Sequence, residues 1–277
     1  MKRLSAGAII VTLFTIMISI IPLAWVFLSS FKSNAEFFRN PTSFPTSFSW
    51  NNYRVVLFFG GGHGEEPLLR FLVNSFLASC ITVVGCNLIA SLASFCFLLP
   101  IRGRKLWFYV LSFGLLIPTS AFMVPYFVIV KSLGLYDTII GLSLVYTGMF
   151  LPLSFLILST YMRENVPAEL VEAAVLDGAS TWQCLMKVTI PLSRGGIFAA
   201  AVIVFINCWN ELLYALLLTQ TESARTVQIA ISSLVATYAA NYPAAFAAII
   251  ISIMPIIIIV GICGKLIFRG LSIYVER

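Results

Sequence analysis

Charge is what this 277-residue sequence has least of: 10% of its residues are Asp, Glu, Lys or Arg, against about 25% in soluble domains. A chain so poor in charge is not a water-surrounded globule, and its length bounds how many membrane spans it holds. Histidine occurs once, as His63, in a glycine-rich stretch where ordinary surface placement explains it. The cysteines are Cys80, Cys86, Cys96, Cys184, Cys208 and Cys263; no pair has metal-ligand spacing. They read as small packing residues, not a disulfide framework or metal site. A phosphate-cradling loop is also missing. The only Gly-Lys pair is Gly264-Lys265, but residue 259 is Ile and residue 266 is Leu, so the two-glycine pattern ending in Lys-Ser/Thr fails. An intramembrane enzyme would need clustered His, Asp or Glu within the apolar runs, and these are absent too. The sequence shows no internal repeat and no low-complexity tract.

What is present is apolar: 60% hydrophobic residues and a mean hydropathy of +1.00. Six runs, at about 8–29, 71–99, 106–130, 139–161, 196–218 and 244–268, are each long enough to cross a bilayer. Without water to satisfy the backbone, such runs are helices, which predicts an all-α polytopic membrane protein forming one domain over 1–277. Met1-Lys2-Arg3 precedes the first run; the run is too long for a signal-peptide core and reads as an uncleaved helix. Residues 30–70 carry Pro41, Pro45, Gly60, Gly61, Gly62 and Gly64 and are expected to form an outer loop with little regular structure. Pro118 and Pro125 should kink the third span, and Pro255 the sixth.

Six spans place both termini on one side. The loops on that side hold Lys2, Arg3, Arg102, Arg104, Lys105, Arg163, Lys187, Arg194, Lys265, Arg269 and Arg277, eleven basic residues against six on the other. The positive-inside rule makes that side cytoplasmic. The net charge of +6 is thereby read as topology, not as a nucleic-acid surface.

One long polar interruption stands out, residues 163–194. Glu164, Glu169, Glu172 and Asp177 lie there, four of the eleven acidic residues. Pro167 suits a first helical turn, Glu169 lies near the positive end of that helix, and Gly178 suits its C-terminal cap. Ser180 and Gln183 have the spacing of a capping box for a second short helix, which Pro191 ends or kinks. Ala173, Ala174 and Ala179 leave a small knob that fits a groove on a soluble partner.

Glu172-Ala173-Ala174, Gly178 and Ile190-Pro191-Leu192 resemble the signature loop of the permease subunits of bacterial ABC importers. Ser30-Phe31-Lys32, Trp50-Asn51-Asn52-Tyr53, Phe71-Leu72-Val73-Asn74-Ser75, Leu133-Gly134-Leu135-Tyr136-Asp137-Thr138 and Trp209-Asn210-Glu211-Leu212 extend the resemblance along the chain. They resemble the carbohydrate-uptake branch, in its shorter six-span form. The resemblance implies a multi-pass subunit of the bacterial inner membrane that works with a second, related permease. Two cytoplasmic ATPase subunits, which bind ATP–Mg, and an extracytoplasmic solute-binding protein complete the assembly. The chain itself would carry no cofactor, no metal and no enzymatic activity. Glu172, Ala173, Ala174, Asp177 and Gly178 would couple it to the ATPases. Mono-, di- and oligosaccharides, polyols and sugar phosphates all fit as substrates.

Within the fifth span, Asn207, Asn210, Glu211 and Tyr214 are spaced by three or four positions or adjacent, which predicts one polar face on a continuous helix. A carboxyl group this deep must face protein or water. Two readings stand: the stripe lines a translocation path, or it hydrogen-bonds neighbouring helices. Asn87 in the second span carries the same choice. Aromatic residues such as Tyr126 and Tyr146 suit stacking on sugar rings or plain packing. A rival class is a secondary transporter driven by an ion gradient, with Glu211 as its ion site; those folds show repeated halves and broken helices.

Overall fold

Apolar runs with no water to satisfy them fold into helices, and the computed structural model, which describes residues 6–60, 66–99, 102–237 and 241–271, contains no strand among them. His63, the termini and Gly61, Gly62 and Gly64 lie outside the described residues. The long helices are α1 (Ala6–Ser29), α4 (Leu68–Cys96), α7 (Ile139–Asn165), α11 (Arg194–Asn210) and α14 (Tyr242–Leu271). Between them lie α2 (Asn34–Arg39), α3 (Asn51–Phe59), α5 (Arg104–Phe113), α6 (Met123–Ser132), α8 (Ala168–Leu176), α9 (Thr181–Gln183), α10 (Ile190–Leu192), α12 (Leu213–Leu218) and α13 (Val227–Thr237). Among the described residues, four helices are long and apolar enough to cross a membrane, or up to six spans if each of two bent pairs, 104–132 and 181–210, counts as one.

Two of the expected spans are not straight rods. The third divides into 104–116 and 119–132, bent by 90°; Pro118 stands at the break, where it has no N–H to continue the helix. Pro125 falls at the third residue of α6, where its missing donor costs nothing. The fifth, expected as one helix over 196–218, stops at Asn210 and restarts at Leu213. Pro255 lies inside α14.

The chain divides into two compact units. One comprises Met1–Arg70 and Ala230–Pro255. Its segment 30–70 was expected to lack regular structure, yet it holds α2 and α3. Side chains supply the reason. Asn52 donates to the carbonyls of Ser30 (2.7 Å) and Lys32 (2.9 Å), which follow the end of α1 and lack the usual intrahelical partners. Lys32, 1% exposed, donates to Asn40 O and Pro41 O. Phe31 packs among Phe48, Trp50 and Tyr53 with ring centroids 5.0 to 5.3 Å apart.

The second unit comprises Phe71–Ile229 and Ile256–Arg277. Its core is built from small residues that let helices approach. Thr82 Oγ1 donates to Ser143 O, and Ser143 Oγ donates to Ala78 O, so α4 and α7 share hydrogen bonds as well as surface. Against α11, Tyr161 of α7 lies over Gly195 and Gly196: a Cβ on either would stand 2.5 Å from it. Leu142, Tyr146, Val204 and Ala215 are fully buried in the central apolar cluster.

Candidate functional site

Two places carry the polar residues singled out in the sequence. The first is the break between α11 and α12. Glu211 has left the helix (φ −76°, ψ 126°). Its two oxygens accept the backbone N–H of Tyr214 (3.0 and 3.1 Å), and one also accepts that of Ala215 (3.1 Å). The side chain thus caps the start of α12, where unsatisfied donors and the helix dipole favour an acceptor. Tyr146 of α7 completes the arrangement, donating its hydroxyl to Glu211 Oε2 at 2.7 Å. Tyr214 is buried, and its hydroxyl donates to Thr119 O beside the Pro118 break. The break at Pro118 and the break at Glu211 are therefore joined through one tyrosine.

This arrangement corrects the single polar face expected over 207–214. Asn207 and Asn210 sit on α11 before the break, exposed, each donating to its own helix at Ile203 O and Ile206 O (both 2.8 Å). Glu211 and Tyr214 turn into the protein instead. Asn87 is half-buried on α4; its amide donates to Val83 O at 3.1 Å, and its oxygen has no partner among the described residues. Spacing alone missed the part Tyr146 plays, because nothing in the local sequence signals a partner 65 residues away. Tyr126 packs edge-on against Tyr214, ring centroids 5.8 Å apart.

The second place is the polar stretch 163–194. Val166 ends α7, and Pro167 stands one residue ahead of α8. The C-terminus of α8 closes as expected: Gly178 has φ +82°, Gly178 N–H donates to Val175 O and Ala179 N–H to Ala174 O. These paired bonds across a left-handed glycine satisfy carbonyls that a helix end leaves free. The capping box of Ser180 and Gln183 has both its hydrogen bonds, at 2.8 and 3.3 Å. A π-helical turn, 184–189, and α10 follow, and the chain bends by 74° at Ser193 into α11.

This loop is held from one side only. Val171 is buried with Phe95, Met162, Val166, Cys184 and Leu185. Glu172, Ala173, Asp177 and Gly178 are exposed and Ala174 half-buried. Leu170, Val175 and Leu176 are exposed as well, Leu176 by 88%. The sequence reading named the acidic and small residues of this knob but not its apolar ones. Helical periodicity assigns Leu and Val to a core by default, and here only Val171 goes there. Among the described residues, no group of three or more His, Cys, Asp or Glu is arranged to hold a metal ion.

The trehalose transport system permease protein SugB of Mycobacterium tuberculosis is 33% identical over 258 residues, covering 92% of this chain and 91% of that protein. The diacetylchitobiose uptake system permease protein NgcG of Streptomyces coelicolor is 30% identical over 248 residues, covering 87% of this chain and 79% of that protein. In fold, the chain is similar to one in the crystal structure of a bacterial ABC transporter involved in the import of the acidic polysaccharide alginate. The TM-score is 0.78 with 22% identity, over 94% of each chain. A break beside a carboxyl group is also what an ion-driven carrier shows, but the relatives place this one elsewhere. Residues 86–273 match the family described as binding-protein-dependent transport system inner membrane component, and the chain belongs to that family: it is a membrane-spanning permease subunit of an ABC importer, with ATP hydrolysis left to a separate subunit.

Proposed function

We propose that the chain is one of two related permease subunits of a sugar or oligosaccharide importer in a bacterial inner membrane, with both termini cytoplasmic. Two ATPase subunits, holding ATP–Mg, engage the knob formed by Glu172, Ala173, Ala174, Asp177 and Gly178. An extracytoplasmic binding protein delivers solute to the opposite face. The observation that carries the reading is the exposure of Asn207 and Asn210 midway along the α11–α12 span. Amides facing lipid at that depth are costly; facing a second permease across an aqueous path, they are hydrated and free to hydrogen-bond hydroxyl groups. The substrate class is supported by relatives named for trehalose and diacetylchitobiose uptake. The eleven-to-six asymmetry of basic residues supports the orientation. Closure of the ATPases on the knob would rock the bundle, and transport requires only that solute prefer one of its two states.

The test is uptake of radiolabelled sugars into proteoliposomes containing the purified assembly, with ATP supplied on the ATPase side. Saturable, ATP-dependent uptake of one saccharide, weakened by Asn207→Leu or Asn210→Leu, is the expected result. Uptake driven by an ion gradient without ATP, or by the isolated chain alone, would overturn it.

A further inference from the structure

A cavity of about 210 Å³ lies at one end of the unit containing α4, α5 and α7, away from the Glu211 break. Its wall includes Arg104, Lys105 and Arg163, the hydroxyls of Ser94 and Ser159, and the ring of Phe108. No acidic side chain lines it, and none of the three cations pairs with a carboxylate among the described residues. Two are held in place by other means. Arg104 donates to Phe97 O at 3.2 Å, and the Arg163 guanidinium lies over the Phe108 ring at 6.0 Å. All three cations are exposed and have no carboxylate partner among the described residues, so an anion can reach them.

Ser94 gives the independent indication. It is 1% exposed and lines the cavity, and its Oγ is one of eight buried hydroxyls with no hydrogen-bond partner among the described residues. A buried hydroxyl left unmatched carries an uncompensated desolvation cost, and among those eight Ser94 is the one on this wall. The neighbouring Ser159 already donates to Leu156 O. An oxygen-rich anion seated among the cations would accept from Ser94.

We infer that this cavity binds the phosphate of an anionic phospholipid headgroup, phosphatidylglycerol being the probe. The volume is below the range of about 300–1,000 Å³ of pockets that enclose a whole drug-sized ligand, as suits a headgroup whose chains stay in the bilayer. Phe97, Leu98 and Phe108 give the wall an apolar part beside the cations. Basic pockets between helices at the cytoplasmic membrane face have this electrostatic logic. The inference rests on the orientation proposed above, which turns this end toward that face.

The experiment uses the purified assembly in nanodiscs of phosphatidylcholine with trace spin-labelled phosphatidylglycerol or spin-labelled phosphatidylcholine. The measured quantity is the motionally restricted fraction of each label. Both leaflets have the same composition and no ATP is added, so the readout stands apart from transport and from orientation. Expected is a clear preference for phosphatidylglycerol, reduced about fivefold for each of Lys105→Gln and Arg163→Gln. Ser94→Ala should reduce it less, and Arg102→Gln, a basic residue outside the cavity wall, should leave it in place. Millimolar inorganic phosphate should not displace the label. Equal loss with Arg102→Gln would mean a diffuse basic surface and overturn the site. Full displacement by phosphate would mean a free-anion site and overturn the lipid assignment. Retention of the preference in the Lys105→Gln, Arg163→Gln double variant, with the assembly still co-purifying, would also overturn it.

Discussion

Gly178 shows how much one backbone angle can decide. A Cβ there would meet no atom within 4 Å, so space is not the constraint; φ of +82° is. Gly178→Val should cost about 1–2 kcal/mol in local strain and re-aim the knob. Membrane insertion should stay normal while ATP hydrolysis loses its coupling to uptake in proteoliposomes. Gly178→Asn, which tolerates this region, should keep most of the coupling; equal damage from both would remove the conformational argument. Glu211→Gln replaces one acceptor oxygen by an NH2 group facing backbone donors. We expect normal expression, reduced uptake and a lower thermal midpoint, reflecting about 1–3 kcal/mol for the unmatched donors. Wild-type uptake and midpoint together would leave the break without a functional part.

Asp137 is a third decisive residue. It adopts φ +60° between α6 and α7, and its Oδ1 accepts the N–H groups of Gln220 and Thr221. Burial pushes its carboxyl upward, but those two amides, the Thr221 hydroxyl and Arg225 outweigh it and hold the group below its ordinary value. A depressed pKa contributes stability above the unfolded value and loses it as pH falls through the folded value. Amide exchange at Gln220 and Thr221 should therefore accelerate, relative to the intrinsic rate, below about pH 4. Asp137→Asn should raise exchange at neutral pH and flatten the acid response.

At the scale of elements, the contact of α7 with α11 is set by a ring over two glycines. A Cβ at Gly195 would collide with the Tyr161 hydroxyl at 2.5 Å and its carrier carbon at 3.1 Å; a Cβ at Gly196 would collide with Cγ at 2.5 Å. Gly195→Ala and Gly196→Ala should each destabilise by about 1–3 kcal/mol through overpacking. Tyr161→Phe removes only the hydroxyl, so it should rescue Gly195→Ala and not Gly196→Ala. Thermal unfolding of the two double variants in detergent checks this, and equal rescue would show that the helices simply shift apart. The far end of α11 is set separately, by the Glu211 carboxylate accepting from Tyr214, Ala215 and Tyr146. Helix α12 begins its own register under the Glu211 cap, instead of extending a rod through the α7 contact.

For the whole molecule, the ATPase contact proposed at the α8 knob can be tested apart from folding. Val171 anchors it, while Leu176 is its most exposed apolar side chain. Leu176→Asp should leave the thermal midpoint within about 0.5 kcal/mol of wild type and release the ATPase subunits on co-purification. Val171→Asp buries a charge and should lower stability itself, by about 3 kcal/mol or more. Co-purification undiminished by Leu176→Asp would move the contact off this face.

Local chemistry decided what the sequence by itself determined here. Long apolar runs must be helices in a bilayer, and Ser180 with Gln183 must cap one. A glycine two residues beyond the last helical position carried the left-handed turn at 178. These depend on neighbours within a few residues, so order along the chain suffices. Tertiary structure decided the rest. Residues 30–60 fold because Asn52 reaches Ser30 and Lys32, which composition rich in glycine and proline conceals. The fifth span breaks because Glu211 has donors at 214 and 215 on one side and Tyr146 on the other. A continuous helix would have satisfied the hydropathy of that run equally well; the backbone donors at 214 and 215 and the distant tyrosine favour the interrupted one.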